Sequence, residues 1–179
     1  MQETNRKFKF GKLEIRKFII SDYLYLISYL LAVLYYLYSS KYNPEYKLGI
    51  SLIISFAAGF QTISSPFGLR FRNIYFSIIW LILSLLLLID NYFFSLIPLS
   101  TFILYHVIRI LFWKKNNREF IPYQSGKGQM FRFKSYFEGR YGNLTDKKYT
   151  KILLGIGILI IGCCLIQMIV FKNYISENI

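Results

Sequence analysis

Asp22, Gln61, His106 and Arg109 stand inside stretches of chain that are otherwise almost wholly apolar. Charged and strongly polar side chains are costly in such surroundings, so they are expected to pair with one another or to line a polar cavity. Asp22 and Arg109 each lie four residues inside an apolar run, counted from its basic end, which would set them at similar depth in a bilayer. His106 is three residues before Arg109, on the same face of a helix. Gln61 lies near the corresponding end of another run. In the sharper reading these four residues form one binding site: Arg109 holds an anionic headgroup or diphosphate and His106 carries a proton. The plainer reading is preferred, a structural Asp22–Arg109 pair or an Arg109 whose head reaches up to lipid phosphate. A single histidine, with no second acid or base assigned to it, argues against general acid–base catalysis. No catalytic residue is therefore assigned.

Other motifs carry less chemistry. Ser125-Gly126-Lys127-Gly128-Gln129 has a glycine-rich look, but it lacks the spacing, the preceding strand and the hydroxyl of a phosphate-cradling loop. Cys163 and Cys164 are adjacent, so on a helix they point about 100° apart and offer no metal-ligand set. They read as small packing residues, and neither a metal nor a cofactor is expected. Asn143-Leu144-Thr145 matches a glycosylation sequon on the side of the membrane where glycosylation does not act. Thr145 is instead expected to cap the last helix. Asp90 and Asn91 read as turn residues.

The elements that must position these residues follow from composition. The 179 residues are 55% hydrophobic and only 17% charged, where soluble domains run about 25% charged. Stretches 48–69, 73–89 and 152–171 hold no charged residue, and each is near the ~17–25 residues that a membrane helix needs. An all-α polytopic membrane protein of about five spans is expected, at 18–38, 48–64, 74–89, 96–113 and 152–171. The first four make a bundle over 18–113, with Pro98 in the first turn of the fourth, where its missing N–H costs little. A basic tail (1–17), a basic loop (114–151) and a short external tail (172–179) complete the chain. The first span lacks a small-residue cleavage pattern and reads as a signal anchor.

Eighteen of the 22 lysines and arginines fall in the tail 1–17, the loop 65–73 and the segment 114–151, all on one side of this topology. The positive-inside rule puts that side, with the N-terminus, in the cytoplasm, and the C-terminus outside. The same distribution accounts for the net charge of +13 through contact with anionic lipid headgroups, so nucleic acid is not expected as a partner. Within 114–151, Met130, Phe133, Phe137, Tyr141 and Leu144 form a helical stripe flanked by basic residues. An interfacial amphipathic helix is expected there, with Arg132, Phe133, Lys134, Phe137 and Arg140 on the lipid surface. Tyr23, Tyr25, Tyr35, Tyr36, Tyr38, Tyr42 and Tyr46 crowd the ends of the first span and read as an aromatic belt.

Two spans carry small residues at close-packing intervals: Ser51, Ser55 and Gly59 in the second, Gly155 and Gly162 in the fifth. Packing inside the bundle is the preferred reading, with an oligomer or partner interface as the alternative. The functional expectation is a non-enzymatic accessory or scaffold subunit of a membrane assembly. A small oligomeric transporter or channel is the first alternative, and an enzyme acting on a lipid or prenyl phosphate through a cytoplasm-facing site is the second. The wealth of Ile, Lys, Asn, Tyr and Phe suggests an AT-rich genome, and with it a bacterial cytoplasmic (inner) membrane.

Overall fold

A computed structural model describes residues 13–64, 66–90, 92–122 and 142–177, with side chains of the last helix as far as 167. The described residues hold no strand. Five α-helices, α1 (Ile20–Tyr42), α2 (Pro44–Ser64), α3 (Ile74–Leu86), α4 (Leu96–Asn116) and α5 (Leu144–Glu177), are joined in part by 3-10 turns at Pro66–Arg72, Leu87–Asp90 and Phe93–Ser95. Ile20–Tyr42, Pro44–Ser64, Phe93–Asn116 and Leu144–Gln167 are long and apolar enough to cross a membrane.

Local chemistry sets the helix ends. Ile19 has extended backbone, and its N–H donates to the Asp22 carboxylate at 3.2 Å, while that carboxylate also meets the positive end of α1. Asn43, before Pro44, is pushed out of helical conformation, so α1 stops and Pro44 opens α2 at the position where its missing N–H matters least. The Asn73 side chain caps α3 by accepting the Tyr75 N–H at 3.1 Å. Asn117 ends α4 in the left-handed conformation (φ 49°), its N–H donating to the Trp113 carbonyl at 2.8 Å.

Hydropathy marks where a helix is apolar and not where it begins. α2 starts at Pro44 rather than 48, α4 runs on to Asn116, and α5 starts at Leu144, eight residues before the expected 152. Asn143, not Thr145, caps α5: its Oδ1 accepts the N–H groups of Thr145 (3.1 Å) and Asp146 (3.2 Å). Asp146 returns the bond by accepting the Asn143 N–H at 2.9 Å, a reciprocal capping pair. α3 has 13 residues, ~20 Å at 1.5 Å per residue, and its chain tightens into a 3-10 turn before reaching the ~30 Å of a hydrocarbon core. The amphipathic stripe, with Arg132, Phe133, Lys134, Phe137 and Arg140, lies outside the described residues, as do the loop 125–129 and Asn91. Leu144, its last member, opens α5 and is exposed.

α2 packs most extensively against α4, α1 joins α2 to α3, and α5 lies along α4 and α2. The small face of α2 is spent inside the chain. Any Cβ at Gly59 would overlap the Ile97 side chain, and the Ser51 and Ser95 hydroxyls bond at 3.2 Å. Ser55 is fully buried on the same face. On α5, Gly157 is pressed against Ile63, whereas Gly155 and Gly162 face open space. Between the helices Phe67, Phe71, Phe76, Trp80 and Phe102 form an aromatic core, with Phe71 edge-on to Phe102 at 4.9 Å. Gly68 lets the 3-10 turn approach Tyr105 so closely that a Cβ there would overlap its ring.

At the end of the bundle where α1 and α2 meet, two readings need correcting. Asp90 is more than a turn residue: it accepts the Tyr36 hydroxyl and pairs with the Lys47 ammonium at 2.5 Å, tying the turn after α3 to α1 and α2. Tyr36 therefore leaves the aromatic belt, being fully buried, while Tyr23, Tyr35, Tyr38, Tyr42 and Tyr46 are exposed.

Candidate functional site

The opposite end of the bundle gathers buried charge. Residues 14–16 run alongside 72–74 in an isolated parallel bridge. There the Glu14 N–H donates to the Arg72 carbonyl at 2.8 Å and the Ile74 N–H donates to the Glu14 carbonyl at 3.1 Å. The Asn73 amide adds a bond to the Arg16 carbonyl at 3.0 Å. The basic segment before α1 is thereby held against the turn between α2 and α3.

Side chains then close two ion clusters. Asp22, with no exposed surface, takes Arg16 Nη1 and Arg70 Nη1, each at 2.6 Å. Arg70 also donates to the Ser21 hydroxyl at 3.2 Å, and its guanidinium lies over the Tyr25 ring at 4.6 Å. In the second cluster Arg72 bonds Glu14 at 2.7 Å through Nη2 and pairs with Glu119 through Nη1. Glu119 arrives on a buried strap, 119–122, that follows α4. The Ile121 N–H on that strap donates to Asp146 Oδ1 at 3.0 Å, so the carboxylate that caps α5 also anchors the strap. Charges buried this deeply are tolerated because each carboxylate meets a guanidinium at hydrogen-bond distance.

The four residues singled out in the sequence do not share one site. Asp22 is bound to Arg16 and Arg70 rather than to Arg109. Gln61 lines a cleft between α1 and α2, with Tyr25 and Ser28. His106 and Arg109 stay together on α4, as their spacing requires. Arg109 is 6% exposed, and its Nε and Nη1 have no hydrogen-bond partner among the described residues, although Tyr105, Arg72 and Glu14 lie within electrostatic range. The Tyr105 hydroxyl and His106 Nε2 also lack hydrogen-bond partners among the described residues. The imidazole packs edge-on to Phe102 at 4.5 Å. Among the described residues no group of three or more His, Cys, Asp or Glu side chains is placed to hold a metal ion.

Glu14, Arg16, Arg70, Arg72 and Glu119 were missed as members of this end because they sit outside the apolar runs, and Asn73 because it only opens one. One signal was available. Glu14 and Glu119 are isolated acids in strongly basic segments, where a carboxylate kept among cations is a natural partner for them.

No family model, curated protein or solved structure matches the chain.

Proposed function

We propose that this chain is a non-catalytic integral membrane subunit, an accessory or scaffold component that docks a partner helix, or a second copy of itself, along α5. In this reading it crosses a bacterial inner membrane five times, with the arginine clusters on the cytoplasmic side, where the excess of basic residues places them. One observation carries the proposal: Gly155 and Gly162 of α5, seven residues apart, face open space, whereas the matching face of α2 is consumed by α4. Small residues let two backbones approach where lipid supplies no hydrophobic drive. The ion clusters support the same reading. Asp22, Glu14 and Glu119 are each bound to arginine, so they act as struts that hold the chain's basic end in shape.

The test is purification of the tagged full chain from its native membrane in mild detergent. A stoichiometric partner or homo-oligomer is expected, and Gly155→Leu with Gly162→Leu should release it while leaving the melting temperature unchanged. A monomer that elutes alone refutes the proposal. Binding of a lipid or prenyl phosphate for catalysis is the second reading, favoured by the unpartnered donors of Arg109. Under that reading Arg109→Ala abolishes turnover of the phosphate ester at unchanged stability.

A further inference from the structure

Polar groups buried without a partner gather on one turn of α4. Tyr105 and His106 stand four and three residues before Arg109, so the three side chains share one side of the helix. Arg109 is 6% exposed and Tyr105 not at all. Yet Arg109 Nε and Nη1, the Tyr105 hydroxyl and His106 Nε2 make no hydrogen bond among the described residues. Protein interiors satisfy such groups, and three neighbours left over together mark a place for something the chain does not itself supply.

Charge says what is missing. At this end of the bundle Arg16, Arg70, Arg72 and Arg109 turn inward, and three carboxylates meet the first three: Asp22 binds Arg16 and Arg70, while Glu14 and Glu119 bind Arg72. Glu14 is within electrostatic range of Arg109, but Arg72 holds it and also repels Arg109. Asp146, a further buried carboxylate, accepts backbone N–H groups of the strap and of the α5 cap. Among the described residues Arg109 is thus a buried cation with no carboxylate bonded to it, and a bound anion would compensate it. A guanidinium presents paired N–H groups that match the oxygens of a phosphate. The Tyr105 hydroxyl adds a donor beside it, and His106 Nε2 adds another when it carries the ring proton. His106 is half-buried and borders the exposed face of α4 that carries Ile103, Val107 and Ile110.

We propose that Tyr105, His106 and Arg109 bind one phosphate group, admitted past His106 from the lipid side of α4, with Arg109 as its counter-charge. Lys114 and Lys115, exposed on the last turn, mark the headgroup level only ~8 Å of helix farther along. The phosphate belongs to a lipid headgroup or is free in solution. The site shares Arg109 with the phosphate-ester reading but needs no turnover, and it stands whether or not a partner docks on α5.

The experiment uses delipidated full-length protein in detergent and phosphate-free buffer, with two probes. Inorganic phosphate is read by melting temperature against chloride at equal ionic strength, and phosphatidylglycerol as a single adduct in native mass spectrometry. A rise in melting temperature with phosphate assigns the site to the free ion. An adduct without that rise assigns it to a headgroup. Arg109→Met should weaken whichever probe binds by about tenfold or more, the loss expected for a bond between charged groups. Tyr105→Phe keeps the ring packed against Gly68, so it should weaken binding at undiminished ligand-free melting temperature. Lys115→Met, on the exposed side of the same helix, should leave binding unchanged. Failure of both probes to bind overturns the proposal. So does binding that survives Arg109→Met, or that falls equally with Lys115→Met, as attraction to the overall charge of +13 would.

Discussion

Replacing Asp22 with asparagine keeps the shape of the side chain and its acceptor for the Ile19 N–H, and removes only the charge. Two guanidinium groups, Arg16 and Arg70, then face a neutral amide at a site with no exposure to water. Removing one partner of a buried ion pair costs about 3–5 kcal/mol, because the remaining charge stays buried without compensation. A chain of this length loses ~2–4 °C of melting temperature per kcal/mol, so a fall of roughly 6–20 °C is expected. Both arginines are about nine-tenths buried, so little of this is lost to solvent screening. The assay is thermal unfolding of purified protein in detergent, followed by tryptophan fluorescence or loss of monodisperse elution. Arg109→Met is the control: Arg109 makes no ion pair with a described residue, so its loss should be neutral or stabilising. Double-mutant cycles sharpen the contrast. Asp22 and Arg70 should couple by about 0.5–3 kcal/mol, while Asp22 and Arg109 should be additive within ~0.5 kcal/mol. An Asp22→Asn fall below ~4 °C, or an Arg109→Met fall equal to it, would refute the argument from buried pairing.

Three further perturbations test other parts of the molecule by the same melting assay. Gly59→Leu drives a side chain into Ile97 at the α2–α4 contact and should destabilise by about 1–3 kcal/mol or more; wild-type stability would mean that these helices do not touch there. Tyr36→Phe removes the hydroxyl that donates to Asp90 and should cost about 1.5–3 kcal/mol, the range for a bond to a charged acceptor. A double-mutant cycle of Tyr36→Phe with Asp90→Asn should show coupling of about 0.5–3 kcal/mol, and strict additivity would remove Asp90 as the partner. Asn143→Ala removes the cap of α5 and should cost about 0.5–2 kcal/mol, whereas Thr145→Ala should cost nothing measurable. The reverse order would return the cap to Thr145.

Helices were the most legible part of the sequence, because an apolar run long enough to cross a membrane must satisfy its own backbone bonds and has little choice but to coil. Asn43-Pro44, the Pro66 break and Pro98 in a first turn could be read locally, since proline acts on its immediate neighbours. The concentration of basic residues between the apolar runs could be counted for the same reason: charge is a property of each residue.

Partnership was not legible. Residue type and depth made Asp22 and Arg109 look like a pair, and nothing in either run said that the chain would bring Arg16 and Arg70 to the carboxylate first. That choice depends on the turn Pro66–Arg72 and on residues 14–16 docking beside 72–74, contacts between segments more than fifty residues apart. The two small-residue faces were likewise equivalent on paper. Packing distinguished them, filling the one on α2 with α4 and leaving Gly155 and Gly162 of α5 open. The sequence by itself determined what forms locally, because helix ends and apolar runs depend on neighbours along the chain. Only the tertiary structure decided which charges neutralise each other and which small-residue face is left open, because those depend on neighbours in space.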